Sequence, residues 1–330
     1  MVTHHSTRDT VFDARLARLV EVARAYYLEN QTQAEIARSL GISRSQVSRY
    51  LSSAREMGIV QIRIMLPHEE TNNLRDSLQR RYPRLCDVIV APAFSGNPEA
   101  IRAMIGRFAA NCLVEIVQPG HRLALGCGRT LRAMVDAMPE QFMPNVTVVQ
   151  AMGNVGHEAH NIDYNEIARQ AGEAIGAQVY FLSAPAILGR ASGKASALIS
   201  ANPTLEYTLS LARGADVYVV GLGSLESDQL YTRVGLVQHE ELDDLKGRAV
   251  GDICGRFFDL AGLEQSSAFN ERIVGIELED LRRAQVVIGV AGGPDKVAPL
   301  LGAIRGRLIN VLVSDEQTIH SILALDDTYP

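Results

Sequence analysis

The chain has 330 residues, 47% of them hydrophobic and 21% charged, with a formal net charge of −6. This is an ordinary globular composition on a chain long enough for two domains. No uncharged apolar stretch reaches the ~18 residues of a membrane-spanning helix, and the polar start Met1–Thr10 lacks the apolar core of a secretion signal, so a cytoplasmic location is expected. Four scattered cysteines, Cys86, Cys112, Cys127 and Cys254, show no Cys-x-x-Cys pairing. That argues against a zinc ribbon, an iron–sulfur cluster and a disulfide framework, and predicts buried thiols. No cofactor and no metal are expected.

The charge is segregated. Residues 1–64 carry nine Arg and six Asp or Glu, whereas residues 65–330 carry 23 Lys and Arg against 32 Asp and Glu. A mildly basic head on an acidic body suits a polyanion-binding module joined to one that repels polyanions.

From Asp13 to Asn30, the spacing of Leu16, Leu19, Val20, Ala23 and Tyr27 predicts an amphipathic helix. Thr32-Gln33-Ala34-Glu35 has the form of a capping box and opens a second helix to about Leu40. Gly41 follows where a left-handed residue reverses the chain, and Ser43-Arg44-Ser45-Gln46 repeats the cap for a third helix, Arg44 to about Arg55. Two short helices around a glycine turn have helix-turn-helix spacing. The third buries Val47 and Leu51 and turns short hydroxyls, an amide and guanidiniums outward, the side chains that reach base edges and phosphates in a major groove. The candidate DNA-contacting residues are Thr32, Gln33, Arg44, Ser45, Gln46, Ser48, Arg49 and Ser52. The alternation Ile59–Ile64 predicts a strand and hence a winged variant, with the DNA-binding domain over 1–66 and a second domain over 67–330.

Leu40-Gly41-Ile42-Ser43-Arg44-Ser45-Gln46-Val47-Ser48-Arg49 resembles the helix-turn-helix of bacterial sugar-responsive regulators of the SorC/DeoR type.

Beyond Pro67, apolar strand runs alternate with helical segments. The expected pairs are strand 86–91 with helix 98–117, 122–125 with 129–137, and 146–151 with 165–175. Strand 179–182, helix 204–212 and strand 216–221 follow. Strand 286–290 with helix 294–304, then strand 308–313 with a helix from about Glu316, complete the series. Such alternation predicts a doubly wound, mostly parallel α/β domain, in which ligands bind at the carboxyl ends of the strands.

Four glycine-rich junctions are expected at such ends: Gly126-Cys127-Gly128-Arg129-Thr130, Gly221-Leu222-Gly223-Ser224, Gly251-Asp252, and Ala291-Gly292-Gly293-Pro294-Asp295-Lys296. Glycines permit close backbone approach, Arg129 and Lys296 can neutralise an anion, Thr130 can donate a hydroxyl, and Asp252 can accept from a sugar hydroxyl. The candidate effector residues are Gly126, Gly128, Arg129, Thr130, Gly153, Gly223, Ser224, Asp252, Gly292, Gly293 and Lys296. Gly189–Lys194 fails the phosphate-loop pattern because Ala195 follows Lys194, and reads as a mobile loop. Gly126-Cys127-Gly128 continues as Arg129-Thr130-Leu131, not as a dinucleotide fingerprint.

Leu125–Leu131, Val250–Asp259, Val290–Lys296 and Leu308–Glu316 resemble the C-terminal sugar-binding domain of the SorC family. The resemblance implies a fold like that of sugar-phosphate isomerases used for sensing, a sugar, sugar phosphate or polyol as effector, operator DNA as partner, and dimers or tetramers. Cys127 stands where the family commonly carries a bulkier residue.

His157-Glu158-Ala159-His160 has the wrong spacing for a metalloprotease. Glu240-Glu241 and Asp243-Asp244 read as a solvated helix face, and Phe257-Phe258 as core. The sequence therefore predicts a ligand-controlled transcription regulator and no enzyme. The alternative is a sugar-phosphate isomerase or deaminase with an accessory N-terminal module, using Asp252 and His157 as proton carriers.

Overall fold

Three helices build the N-terminal unit of the computed structural model: α1 (Thr7–Tyr27), α2 (Gln33–Leu40) and α3 (Arg44–Glu56). The structure describes residues 7–29, 31–56, 59–60, 68–92, 97–155, 163–225, 237–267 and 269–329. It divides into two units, Met1–Met65 and Leu66–Pro330. Val22, Ile36, Val47 and Leu51 meet in one small core, one apolar stripe from each helix. Residues 61–64 of the expected wing strand lie outside the described residues.

In the second unit a helix begins where the sequence suggested only a polar boundary. This is α4 (His68–Arg81), whose Leu74 and Leu78, one turn apart, are buried. Then follow β1 (Asp87–Ala91), α5 (Pro98–Ile116), β2 (Arg122–Leu125), α6 (Arg129–Asp136), β3 (Thr147–Gln150), α7 (Tyr164–Ile175) and β4 (Gln178–Tyr180). The next elements are α8 (Ala195–Ser200), α9 (Pro203–Arg213), β5 (Val217–Gly221), β6 (Gly223–Ser224), α10 (His239–Asp243), β7 (Gly251–Ile253) and β8 (Arg256–Phe258). Last come α11 (Leu278–Arg283), β9 (Val286–Val290), α12 (Val297–Arg305), β10 (Val311–Asp315) and α13 (Glu316–Thr328).

Seven strands form one parallel sheet in the order β1-β10-β9-β5-β2-β3-β4. The central strands are apolar because helices cover both faces; in β5, Val217 to Val220 are all buried. After β2 the chain moves outward to β4, and after β5 it moves the other way toward β10. The sheet therefore has its topological switch point between β2 and β5, where the departing loops leave a crevice.

Several expectations change. Gly251-Asp252 is not a junction of the parallel sheet but part of β7, in a separate antiparallel sheet β6-β7-β8. Three-residue strands leave too short an alternation to be read from sequence. The 189–194 stretch contains a 3-10 turn, Arg190–Ser192, and Lys194 pairs with Glu271 at 2.6 Å. The expected helix at Pro294 opens as a 3-10 turn, Pro294–Lys296, before α12. Glu241 is no solvated carboxylate: it is buried and ion-paired with buried Arg272. Cys112 and Cys254 are buried, Cys127 is half-buried, and Cys86 is exposed.

A charged clasp ties α4 to the end of the chain. Asp326 accepts hydrogen bonds from Tyr82, from Arg305 at 2.6 Å and from Arg81 at 3.1 Å. Burial disfavours the Asp326 carboxylate, and the bonds from Tyr82, Arg305 and Arg81 outweigh it, so its pKa is held below the ordinary aspartate value. The clasp is therefore complete above that value and is lost as pH falls through the depressed pKa. Asp326→Asn is expected to cost about 2 kcal/mol at pH 7. The gap to the parent should narrow as the pH is taken down through the acid range in unfolding titrations.

Candidate DNA interface and ligand site

The exposed side of α3 is set by its cap. The Gln46 N–H donates to the Ser43 hydroxyl at 3.2 Å, and the Ser43 N–H donates to Gln46 Oε1 at 2.9 Å. Thr32 and Glu35 form the same reciprocal pair at the start of α2, and Gly41 between the helices has φ 65°. Thr32, Arg44, Ser45, Ser48 and Arg49 are exposed, while Gln33, Gln46 and Ser52 are half-buried. Gln46 has its amide oxygen in the cap, and the Ser45 hydroxyl lies 2.9 Å from that of Ser43. Among the described residues Arg44 and Arg49 have no ion-pair partner, so α3 presents two uncompensated guanidiniums and no carboxylate in its first turn.

In the second unit, the carboxyl edge of the sheet gathers most of the predicted ligand residues. The Gly126 N–H donates to Val219 O at 2.8 Å, which pins the loop after β2 across the switch point. Gly128 caps α6 with φ 146° and no side-chain cap. Arg129 is exposed and Thr130 half-buried in its first turn. This leaves backbone N–H groups and the positive end of the helix dipole facing the crevice.

The turn after β9 lies in the same row. The Gly293 N–H donates to Asp315 Oδ2 at 3.1 Å and to Thr318 Oγ1 at 2.8 Å, and Asp315 also caps α13 through the Thr318 N–H at 3.0 Å. A Cβ on Gly292 would stand 2.3 Å from both Asp315 Oδ2 and Ile105 Cδ1, so only glycine fits. Asp315→Ala, which removes these bonds from a buried carboxylate, is expected to lower stability by about 2–4 kcal/mol in denaturant unfolding.

Lys296 pairs with Asp295 at 3.0 Å, a compensation for its place ahead of α12 that the sequence did not reveal. Gly223 and Ser224 form β6, and Gly223 lies opposite Asp252 of β7. Asp252 is buried and accepts the Gly255 N–H at 3.0 Å, so one of its oxygens serves the β7–β8 hairpin. Gly153 has a packing reason of its own, since a Cβ there would meet Ala184 O at 2.5 Å. His157 and His160 lie outside the described residues.

Three further groups at this edge carry no recognisable signal in the sequence. Gln150, at the end of β3, donates to Asn165 Oδ1 at 3.0 Å and accepts the Leu182 N–H at 2.8 Å. Tyr164 hydrogen-bonds the Cys127 thiol, and burial pushes that thiol well above its usual range despite the bond. Arg102 on α5 is the third. Gly106 packs against the backbone of Ala133 and Met134, so the parallel helices α5 and α6 bring Arg102 beside Arg129 one turn earlier. Burial, and then the charge of Arg129, lower the Arg102 pKa. Neither guanidinium has an ion-pair partner among the described residues. A cation on a helix carrying its own apolar stripe gives no sequence signal, because its neighbour is 27 residues away.

Among the described residues no cluster of His, Cys, Asp and Glu could hold a metal ion, and no helix is long and apolar enough to cross a membrane.

Comparison with known proteins bears on both units. Residues 67–324 match the family described as "Putative sugar-binding domain", and residues 18–56 match "Sigma-70, region 4". The chain is 34% identical to the deoxyribonucleoside regulator of Bacillus subtilis over 92% of its own length and 96% of that protein. It is 31% identical to the sorbitol operon regulator of Klebsiella pneumoniae, over 94% and 98% of the two chains. The crystal structure of the full-length Klebsiella pneumoniae regulator SorC superposes with a TM-score of 0.75 at 29% identity, covering 93% of this chain and 98% of that one.

Proposed function

Because the chain belongs to the SorC-type family of transcriptional regulators, which join a helix-turn-helix to a C-terminal sugar-binding domain, we propose how the two units divide the work. The regulator is not an enzyme: its relatives and structural neighbours over nearly the whole length are regulators. Operator DNA is read by α3, with Arg44 and Arg49 on phosphates and base edges, Ser45, Ser48, Ser52 and the free amide nitrogen of Gln46 beside them, and Thr32 and Gln33 at the start of α2. The effector is a sugar, sugar phosphate or polyol held at the carboxyl edge of the sheet by Gly126, Gly128, Arg129, Thr130, Gly153, Gly223, Ser224, Asp252, Gly292, Gly293 and Lys296. Relatives named for deoxyribonucleoside and sorbitol operon control support this ligand class.

The observation that carries the reading is that the Gly128-capped α6 with Arg129, at the switch point, and the Gly292-Gly293 turn after β9 stand along one carboxyl edge of the same sheet. A ligand bound there shifts operator affinity only if it binds two arrangements of the protein unequally. The protein works in the cytoplasm as a homo-oligomer, since single helix-turn-helix units read half-sites in symmetric pairs. A thermal-shift screen of polyols, sugars and their phosphates tests the ligand side. A stabilising compound that alters operator binding supports the reading. A stabilising compound that leaves operator binding unchanged would contradict it.

A further inference from the structure

The same capping device opens α2 and α3, built from different side chains. At α2, Glu35 Oε2 accepts the Thr32 N–H at 2.7 Å, and the Glu35 N–H donates to the Thr32 hydroxyl at 3.3 Å. At α3, Ser43 and Gln46 exchange the equivalent bonds, with an amide where α2 has a carboxylate. A carboxylate is the better partner for the positive end of a helix, so the cap alone does not account for the amide. Gln46 stands beside exposed Arg44 and Ser45 and one turn before exposed Arg49. A negative charge at that place would repel DNA phosphates.

The cap also fixes which way the amide turns. A backbone N–H only donates, so the Gln46 atom 2.9 Å from the Ser43 N–H is the oxygen, and the Ser43 hydroxyl reaches the same oxygen at 3.1 Å. These two bonds take both lone pairs of Oε1. The group left over is the NH2, which has no partner among the described residues. Glutamine recognises adenine with both halves of its amide, the nitrogen donating to N7 and the oxygen accepting from N6. Gln46 has spent the accepting half on its own helix. Arg44 and Arg49 only donate as well, and α3 carries no carboxylate before Glu56.

In the major groove guanine presents two adjacent acceptors, N7 and O6. Adenine sets the N6 donor beside its N7, thymine offers the single acceptor O4, and cytosine shows only the N4 donor. We propose that Gln46 is a donor-only base reader, so that the operator half-site sets guanine, and not adenine, against the start of α3. This deepens the assignment of operator reading to α3 made above and rests on it. The hydroxyls of Ser45 and Ser48 can donate or accept and leave the preference to the amide and the guanidiniums.

The test is selection from a pool of randomised duplexes by the full chain and by Gln46→Glu, Gln46→Ala and Arg44→Ala/Arg49→Ala. Glutamate keeps the cap, in the form α2 already uses, and turns the free half of the side chain from donor to acceptor. Gln46→Glu is therefore expected to unfold at the parent's temperature and to exchange guanine for cytosine at one position of each half-site, with the other positions unchanged. Gln46→Ala should lose the preference at that same position, where the parent discriminates about tenfold, and it keeps the test valid if the glutamate variant does not fold. A parent that selects adenine at the position relaxed by Gln46→Ala overturns the proposal. So does a folded Gln46→Glu that selects the parent's motif at every position, provided that Arg44→Ala/Arg49→Ala has lost the motif. A motif still selected without Arg44 and Arg49 overturns the assignment of operator reading to α3, and the proposal with it.

Discussion

Replacing Arg44 and Arg49 together by alanine is expected to weaken operator binding by about a hundredfold or more while leaving ligand-induced thermal stabilisation unchanged. Both side chains are exposed on α3, and neither has an ion-pair partner among the described residues. Truncation therefore removes the proposed DNA contacts without touching the core of Val22, Ile36, Val47 and Leu51. A contact to a phosphate lowers the salt dependence by about one unit per residue, and a bidentate base contact costs roughly 1–3 kcal/mol and relaxes specificity at one position. Fluorescence anisotropy across a salt series, on cognate and scrambled duplexes, separates the two. A double variant that binds the operator as the parent does would remove α3 as the reading element.

Replacing Arg129 by alanine and Lys296 by methionine is expected to do the converse: operator affinity without ligand is retained, and the response to ligand is lost. Arg129 is exposed in the first turn of α6, where it adds a charge to a helix end whose N–H groups have no side-chain cap. A charge-assisted bond of this kind is worth roughly 1.5–3 kcal/mol. The two changes together should weaken ligand binding by about a hundredfold or more, read as a loss of the thermal shift at fixed ligand concentration. Lys296 also releases Asp295 when it is removed. Lys296→Arg, which keeps that pair, is therefore the companion variant, and it should retain most of the response. Full ligand-induced stabilisation in the double variant would place the ligand elsewhere.

The parts of the fold that depend on local signals were legible in the sequence. Capping at Thr32 and Ser43, the left-handed Gly41, and strand runs such as Val286–Val290 carry their conformation in a few adjacent residues. The strand-to-helix alternation then implies a parallel sheet, and the sheet implies a ligand edge. What was not legible depends on partners distant in sequence. Helix α4 has only Leu74 and Leu78 to bury, and Asp326 at the far end of the chain completes its anchorage. Strands β6 to β8 are two or three residues long, and their pairing is set by where Gly223 meets Asp252. Glu241 reads as one of four acids in a charged run until Arg272 is placed beside it. The same limit hid Arg102, whose significance lies in its approach to Arg129.

If the two units are coupled as proposed, a small ligand at the sheet edge changes the affinity of α3 for DNA. Titration of a labelled operator with the full chain, with and without a saturating stabilising ligand, measures that coupling directly. Operator affinity is expected to move by roughly 5–150-fold, and bound operator to move ligand affinity by the same factor. A ligand that binds and stabilises the protein yet leaves the operator isotherm superimposable at every salt concentration would contradict it.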